Sequence, residues 1–277
     1  MTTDHERASA FQTRVMQRTS TREQALPWGT AYFHDGFPLR YDANLAIAQR
    51  PLGSSTADDV VATLDGAYDG FRHRELEVVS VADGDAIAMG MAQHGYAIEH
   101  LLVMALRRDA DRESGLNVVE EAGLGEMQPF IETVTRREPW GVEPGIAEMM
   151  AAYRQVLVDG IGARFFAQRV DGKLAGSCEL YVEGDIAQIE DVNTLEEFRG
   201  RGIARNVVLR AADEARKAGA TLIFLFADAE DWPRHLYGRL GFDEIGRSQL
   251  FTRWPEGQAP ARGDGAAMTD GKSPAAG

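Results

Sequence analysis

The stretch DVNTLEEFRGRGIARN, residues 191–206, decides the fold of this 277-residue chain. A strand pattern enters it and ends at Thr194, and a helical pattern leaves it at Ile203. Gly200 and Gly202 stand between them, and glycine lets the backbone turn tightly and approach a ligand closely. The first N–H groups of a helix have no partner within the helix, and the helix dipole adds positive potential there. The stretch therefore predicts a loop that binds an anion at a helix start.

Three arginines, Arg199, Arg201 and Arg205, make this loop locally cationic in a chain whose formal net charge is −14. A cationic, glycine-rich helix start suits a pyrophosphate. The loop contains neither the GxxxxGK[ST] spacing nor a GxGxxG directly after a strand, so two common phosphate-binding motifs are excluded.

The spacing Arg-x-x-Gly-x-Ala from Arg199 to Ala204 resembles the pyrophosphate loop of the GNAT superfamily, the Gcn5-related N-acetyltransferases. Further along, LYGRLGF (residues 236–242) resembles the LYxxLGF segment of that family. Two motifs in the family's order, separated by a helix and a strand, are more specific than either alone. The resemblance covers residues 116–254 and implies an α/β fold with a mixed sheet, the GNAT fold, in the C-terminal half.

Periodicity predicts the elements of that half. The helices are expected at Met127–Arg136, Pro144–Val158, Ile203–Lys217 and Trp232–Leu240. The strands are expected at Asn117–Glu120, Ala163–Val170, Leu174–Val182, Ala187–Thr194, Thr221–Phe226 and Ile245–Arg253. Asp171-Gly172 is a typical hairpin turn between the second and third of these strands.

The resemblance implies that acetyl-CoA lies in a splay between the strands 187–194 and 221–226. Backbone groups of the first strand would line the pantetheine arm and stabilise the oxyanion: Val192, Asn193 and Thr194. Backbone N–H groups of the loop would hold the pyrophosphate: Gly200, Arg201, Gly202, Ile203, Ala204 and Arg205, with the Arg199 side chain beside them. No metal ion is expected at this site.

The implied reaction is direct attack of an amine on the thioester in a ternary complex. Tyr237 matches the family's tyrosine, which protonates the departing sulfur, although a tyrosine here could also serve packing alone. Glu190 or Asp191 is the candidate base that takes the amine proton. Strand alternation places these two carboxylates on opposite faces, so only one would face the amine, and Glu190 is favoured. The alternative is that both are solvated strand residues.

One position departs from the family. An Asn that commonly contacts the cofactor seven residues before the tyrosine is replaced here by Glu230. Asp228 and Asp231 form a second acidic pair that could attract a cationic substrate. His235 is expected to be a surface residue.

The N-terminal half has no such loop and is expected to be a degenerate GNAT-like domain or an unrelated αβ domain, at 25–110. Helices are predicted at Asp58–Asp69 and Asp85–Gln93 and strands at Leu76–Val81 and Ile98–Leu106. Two sequence echoes between the halves, Pro-Trp-Gly at 27–29 and 139–141 and Gly-aromatic at 95–96 and 241–242, suggest related halves. This half could cover the site, shape the pocket or form a homodimer contact. Residues 1–24 are expected to form a mobile arm or a loose helix, and 255–277 a disordered tail.

Composition limits the function. The net charge of −14 disfavours nucleic acid and anionic membranes and favours a cationic amine, on a small molecule or a protein. The sequence lacks an apolar run of membrane-spanning length and a signal-peptide pattern, so a cytoplasmic location is expected. The one cysteine, Cys178, predicts a small buried side chain rather than a disulfide or catalytic thiol. Two alternatives to an amine acetyltransferase remain, a mycothiol-synthase-like acyltransferase and a non-catalytic acyl-CoA sensor.

Overall fold

The computed structural model describes residues 2–112 and 115–255. The strands of both halves form one 11-stranded mixed sheet in the order β1-β2-β3-β4-β11-β5-β10-β9-β8-β7-β6. The expected α/β fold with a mixed sheet is confirmed. The predicted tail lies largely outside the described residues.

The α-helices are α1 Asp4–Thr19, α2 Ala57–Ala67, α3 Val81–Gln93, α4 Leu124–Thr135, α5 Ile146–Ile161, α6 Ile203–Lys217 and α7 Pro233–Arg239. The strands are β1 Arg22–Leu26, β2 Gly29–Phe33, β3 Ala46–Ala48, β4 Arg74–Val78, β5 Ala97–Leu106, β6 Val119–Ala122, β7 Arg164–Val170, β8 Lys173–Glu183, β9 Ile186–Thr194, β10 Leu222–Asp228 and β11 Phe242–Arg253.

Helix α6 has the predicted bounds because its apolar side chains recur at helical spacing and a glycine follows it. Val207, Val208, Ala211 and Ala215 are buried on one side, and Gly219 adopts a positive φ of 91° just after the helix. Helix α5 begins later than predicted. Pro144 lies before its N-cap, Gly145, whose φ of 86° turns the chain into the helix.

The helices cover both faces of the sheet. We call the face under α1, α4 and α5 the front and the face under α2, α3, α6 and α7 the back. Strand alternation divides the side chains of β5 between them, with Val103 and Ala105 in the front core and Leu102 and Met104 in the back core. Burial of each apolar side chain of this size contributes about 1.5–3 kcal/mol.

The two halves exchange their last strands. Strand β5 of the N-terminal half lies between β10 and β11, and β11 lies between β5 and β4. The pairs Phe224↔Ala105 and Phe242↔Leu106 fix the first of these registers, and Phe251↔Leu76 fixes the second. The backbone groups of each last strand therefore bond to the other half. The division at 25–110 and 116–254 stays a prediction about ancestry, since the sheet has no boundary there.

The start of the chain is more ordered than the sequence suggested. Of the two expectations for this segment, a mobile arm or a loose helix, the structure favours the helix: residues 4–19 form α1, with a capping box between Thr3 and Glu6. Phe11 of this helix packs edge-on against Phe224 of β10, with ring centroids 5.7 Å apart. The segment between α1 and α2 contains the hairpin β1–β2, in which Leu26 pairs with Gly29.

The two sequence echoes have different outcomes. Gly95 and Gly241 both follow a helix, adopt positive φ values of 81° and 96°, and precede the last strand of their half. The Pro-Trp-Gly echo has no structural counterpart. Residues 27–29 turn the β1–β2 hairpin, whereas Pro139–Val142 is a short 3-10 helix.

We expect that the halves cannot fold separately, because β10 and β11 would both lose β5. Residues 115–255 produced alone should show no cooperative unfolding in urea, whereas the whole chain should show a single transition. Far-UV circular dichroism and amide exchange on β10 measure this. The control is the whole chain cut between residues 112 and 115 after folding, which should remain a two-piece complex. Native amide protection of β10 in the isolated segment would contradict the prediction.

Candidate active site

The parallel strands β9 and β10 part shortly after they meet. They pair only at Ile186↔Leu222, Ala187↔Ile223 and Gln188↔Phe224. Beyond Gln188 the edge of β9 that faces β10 has no strand partner among the described residues, so its backbone groups are available to a ligand. The expected splay between these strands is confirmed.

A β-bulge lies in β9 at the mouth of this splay. Glu179 pairs with Glu190 and Ser177 with Asn193, so the single residue Cys178 of β8 faces two residues of β9. Asp191, one of the two, has a φ of 50°, in the left-handed region that non-glycine residues rarely adopt. The bulge adds one residue and changes which face the later side chains occupy.

The expectation that Glu190 and Asp191 lie on opposite faces is wrong, and the bulge is the reason. Glu190 lies on the front face because its cross-strand partner Glu179 bonds to Arg154 of α5. Asp191 bonds to the same arginine, so it also lies on the front. Val192 then takes the back-facing position that alternation had assigned to Asp191, and it packs against the back core.

Arg154 of α5 connects two carboxylates on the front face beside the bulge. Its Nε donates to Glu179 Oε1 at 2.7 Å, and its Nη2 forms an ion pair with Asp191. Only 2% of the Arg154 and Glu179 side chains is exposed. Tyr181 donates a hydrogen bond from its hydroxyl to the second Glu179 oxygen. A buried charge costs several kcal/mol unless it is paired, and each charge here has a partner.

Within residues 2–112 and 115–255, Glu190 has no cationic partner. Gln188 donates from Nε2 to Glu190 Oε1 at 2.5 Å, a neutral contact from the same strand. Burial raises the pKa of Glu190 to about 7, and the negative charges of Glu179 and Asp191 add to that rise. A carboxyl with such a pKa can accept a proton near neutral pH.

Asp191 is in the opposite electrostatic situation. Burial pushes its pKa upward, but the guanidinium groups of Arg154 and Arg40 outweigh burial and hold the pKa below its ordinary value. Asp191 is therefore an ionised partner of arginine, whereas Glu190 is the carboxyl poised to exchange a proton.

Tyr237 lies on α7, across the splay from β9. It is 8% exposed, and its ring packs in the back core beside Phe242, with centroids 6.3 Å apart. Burial raises its pKa, and the nearby Glu190 and Cys178 raise it further. The hydroxyl keeps its proton, and within the part of the chain that the structure describes it donates to no other group.

The predicted anion loop has the expected open geometry. Gly200 and Gly202 have positive φ values of 75° and 77°, and a Cβ placed on either would meet no atom within 4 Å. Among residues 2–112 and 115–255, no acceptor bonds the backbone N–H groups from Gly200 to Arg205. Asn206 donates the first hydrogen bond of α6, to the Gly202 carbonyl. These donors therefore face outward as a cradle for an anion.

The three arginines of the loop have different environments. Arg199 and Arg201 are exposed, and Arg201 lies over the Phe198 ring at 5.4 Å. Arg205 is buried, and its Nη1 lies 2.7 Å from Asp111 in an ion pair. Its side chain connects α6 to the segment after β5, whereas its backbone N–H belongs to the cradle. Beside the cradle, Thr194 Oγ1 is buried without a hydrogen-bond partner among the described residues.

The corresponding helix start in the N-terminal half is closed. At α2 the Thr56 N–H donates to Asp59 Oδ2 at 2.9 Å, and the Asp59 N–H donates to Thr56 Oγ1 at 3.3 Å. A carboxylate thus occupies the place of an anion, and Asp58 adds a second negative charge. This half contains a sealed helix start where the other half has an open cradle.

The residues after β10 form a polar edge of the splay. Asp228 accepts from the Glu230 N–H at 2.8 Å, and Glu230 lies 3.9 Å from His100 of β5. Asp231 accepts from the Trp232 N–H. His235 is exposed, as expected.

Sequence reasoning missed Arg154, Glu179, Tyr181 and Arg40. Arg154 had a readable signal, because it occupies the apolar stripe of α5, between Ala151 and Leu157. A charged residue on a buried stripe needs a charged partner. The partner itself was not readable, since Glu179 reaches Arg154 only through the fold.

Neither a membrane-spanning helix nor a metal-binding cluster is found among residues 2–112 and 115–255. No helix among them is long and apolar enough to cross a membrane. They also contain no group of three or more His, Cys, Asp or Glu side chains arranged to hold a metal ion.

Part of the C-terminal half matches the profile of a known family. Residues 130–242 match the profile of the acetyltransferase (GNAT) family. No curated protein matches the chain.

Several solved structures share the fold over most of the chain. A GCN5-related N-acetyltransferase from Kribbella flavida has a TM-score of 0.61 at 17% identity, and the match covers 89% of this chain and 94% of that one. An acetyltransferase assigned to the GNAT family from Novosphingobium aromaticivorans has a TM-score of 0.52 at 16% identity, covering 83% and 89%. A tandem GNAT protein from the clavulanic acid biosynthesis pathway has a TM-score of 0.50 at 16% identity, covering 81% and 77%. Identities this low show the fold alone.

We expect Glu190→Gln to stabilise the chain increasingly as pH rises. The folded state retains a proton on Glu190 up to a pKa of about 7, whereas the unfolded state releases it near the ordinary value of 4.5. Stability is therefore lost as pH rises from 4.5 to 7, and the amide variant avoids that loss. Urea unfolding should show a gain of order 1–3 kcal/mol at pH 8 relative to pH 4.5. Glu23→Gln, at an exposed position of β1, is the control. An equal effect of both substitutions at every pH would contradict the prediction.

Proposed function

We propose that this chain, whose residues 130–242 form a domain of the GNAT acetyltransferase family, transfers an acetyl group from acetyl-CoA to a primary amine. The observation that carries the proposal is the open cradle at the start of α6, beside a splay that exposes one edge of β9. Direct attack in a ternary complex is the proposed mechanism.

The residues present fit a coenzyme A thioester. Unpaired N–H groups from Gly200 to Arg205 would accept the diphosphate, and exposed Arg199 and Arg201 would screen its charge. The free edge of β9 at Val192, Asn193 and Thr194 would pair with the amide-rich pantetheine arm. When bound, the thioester supplies an activated carbonyl and a thiolate leaving group.

Glu190 is the proposed base. An attacking amine must be neutral, and a carboxylate whose pKa is about 7 can take its proton near physiological pH. Asp191 serves a different purpose, because its ion pair with Arg154 keeps it ionised and holds the bulge. A backbone N–H of the bulged segment would then stabilise the oxyanion, since fixed dipoles do so without reorganisation.

Tyr237 is the proposed acid. Its raised pKa keeps the phenol protonated, and its hydroxyl has no competing acceptor among the described residues. It can therefore donate to the departing sulfur. Glu190 and Tyr237 lie close enough to influence each other, so they would work from the two sides of one reacting centre.

A cationic amine is the proposed acceptor class. Glu190 lies on β9 beside the splay, Asp228 is the last residue of β10, and Asp231 follows that strand. Carboxylates at a cleft raise the local concentration of a cation. The nitrogen could belong to a small molecule or a protein, and we propose a cytoplasmic location for either case.

The cradle can be tested by filling it. Gly202→Glu should weaken acetyl-CoA binding at least 100-fold, because a carboxylate would project into the space for the diphosphate. Gly172→Glu is a matched control, since Gly172 has the same φ of 77° and equally open surroundings in the β7–β8 turn. Calorimetric titration with acetyl-CoA measures both variants. Unchanged affinity in a folded Gly202→Glu chain would count against the cradle.

The acid and the base can be tested by single-atom changes. Tyr237→Phe should lower kcat about 10- to 100-fold and Glu190→Gln about 100- to 10,000-fold, with acetyl-CoA affinity kept. Thiol release over a panel of amines measures kcat. Tyr96→Phe is the control, because the Tyr96 hydroxyl is buried without a hydrogen-bond partner among the described residues and lies in the other half.

The same panel separates the alternatives. Turnover only with a thiol-precursor amine would favour the mycothiol-synthase-like acyltransferase. Tight acetyl-CoA binding without turnover on any amine would favour the sensor and reject the proposed reaction.

A further inference from the structure

The charges around Glu190 do not balance within the catalytic half. Three carboxylates share the front face beside the bulge, namely Glu179, Glu190 and Asp191. Arg154 is the one cation of α5 that bonds to them, and it spans Glu179 and Asp191. A single guanidinium cannot neutralise three clustered carboxylates.

The second cation comes from the N-terminal half. Arg40 lies in the segment between β2 and β3, and its guanidinium packs over the Tyr153 ring at 4.4 Å. Its Nη1 lies 3.9 Å from Met150 Sδ, while the Met150 carbonyl accepts from Arg154 at 2.8 Å. Both arginines are thus held by the same turn of α5, and the charge of Arg40 acts on Asp191 and Glu179.

The Arg40 side chain is held in this position by burial and by an ion pair. Its side chain is only 10% exposed, and Nη2 bonds to Asp42 Oδ2 at 2.7 Å. Asp42 is 61% exposed, so water weakens that pair and leaves Arg40's charge available to the buried cluster. Its Nε is buried without a hydrogen-bond partner among the described residues. A buried guanidinium with an unsatisfied nitrogen is costly, and the pair with Asp42 and the packing over Tyr153 offset part of that cost.

Arg154 bonds to two of the three carboxylates, whereas among the described residues no cation bonds to the third. That one is Glu190, whose contact is the neutral amide of Gln188. Glu190 in turn raises the pKa of two nearby hydroxyls, those of Tyr181 on β8 and Tyr237 on α7. Burial also raises the pKa of Glu179, so the carboxyls beside the bulge titrate together.

We infer that Glu179 and Arg40 are positioning residues that set the protonation of Glu190 through their opposite charges, and that Arg40 makes the N-terminal half part of the active site. The catalytic side of this inference rests on the proposed role of Glu190 as base. The raised pKa of Glu190 agrees with it, since burial and the charges of Glu179 and Asp191 are among its causes. The coupled carboxylates titrate as a set, so the testable quantity is the apparent pKa.

Opposite shifts are expected from opposite changes. Glu179→Gln removes a negative charge and should lower the apparent pKa by about 1 unit or more. Arg40→Gln removes a positive charge and should raise it by a similar amount. Arg40→Lys keeps the positive charge and should leave the apparent pKa near the value of the unchanged chain. A purely structural role would lower activity or stability without moving the apparent pKa in opposite directions.

Two measurements on the full chain test this. The acid limb of kcat/KM against pH gives the apparent pKa during turnover, and ¹³C NMR titration of glutamate carboxyl groups, with Glu190→Gln for assignment, gives it without substrate. In the NMR titration, the inference is supported if the apparent pKa falls in Glu179→Gln and rises in Arg40→Gln. This holds even if no amine is acetylated. Absent or same-direction shifts in folded variants overturn it, even if the chain proves to be an acetyltransferase. If Glu179→Gln does not fold, the Arg40→Gln and Arg40→Lys pair decides alone.

Discussion

The separation of β9 from β10 after three paired residues is the constraint on which the site depends. Parallel strands that continued to pair would consume the backbone groups of β9 and leave no edge for a ligand. The bulge at Asp191 occurs at the same place and turns two consecutive carboxylates toward the front face. The separation of the strands thus leaves the cleft and its free edge, and the bulge concentrates negative charge beside them. Arg154 is what makes that concentration tolerable, because it pairs two of the three carboxylates from inside α5.

The two halves are joined more closely than a chain of two successive domains. Each contributes its last strand to the other, so β5 and β11 lie side by side at the centre of the sheet. Helix α1 and Arg40 then extend the N-terminal half across the front face, toward the cluster on β9. The half with the sealed helix start thus contributes Arg40 to the front face and the strand next to β10.

Much of the site could be predicted from sequence because its parts are local. The cradle needs only glycines, a helix start and a strand end, and these lie within the residues 191–206. Helix α6 was predicted with the bounds that the structure shows, because its apolar stripe and Gly219 lie within one segment. The faces of Glu190 and Asp191 could not be predicted, since alternation assumes a regular strand and the bulge is fixed by the register with β8. The partners of Arg154 and the approach of Arg40 depend on contacts between segments far apart in the chain.

The sequence by itself determined the resemblance of the C-terminal half to the GNAT family, the loop at Gly200–Gly202 and the choice of Tyr237 and Glu190 as candidates, because short motifs encode local backbone geometry. The tertiary structure alone decided which carboxylates bond to Arg154, and that Arg40 of the first half packs against α5 beside it. The physical reason is the distance along the chain over which each kind of interaction acts. Turn and helix preferences act over a few residues, whereas electrostatic balance and sheet pairing depend on which distant segments share one desolvated space.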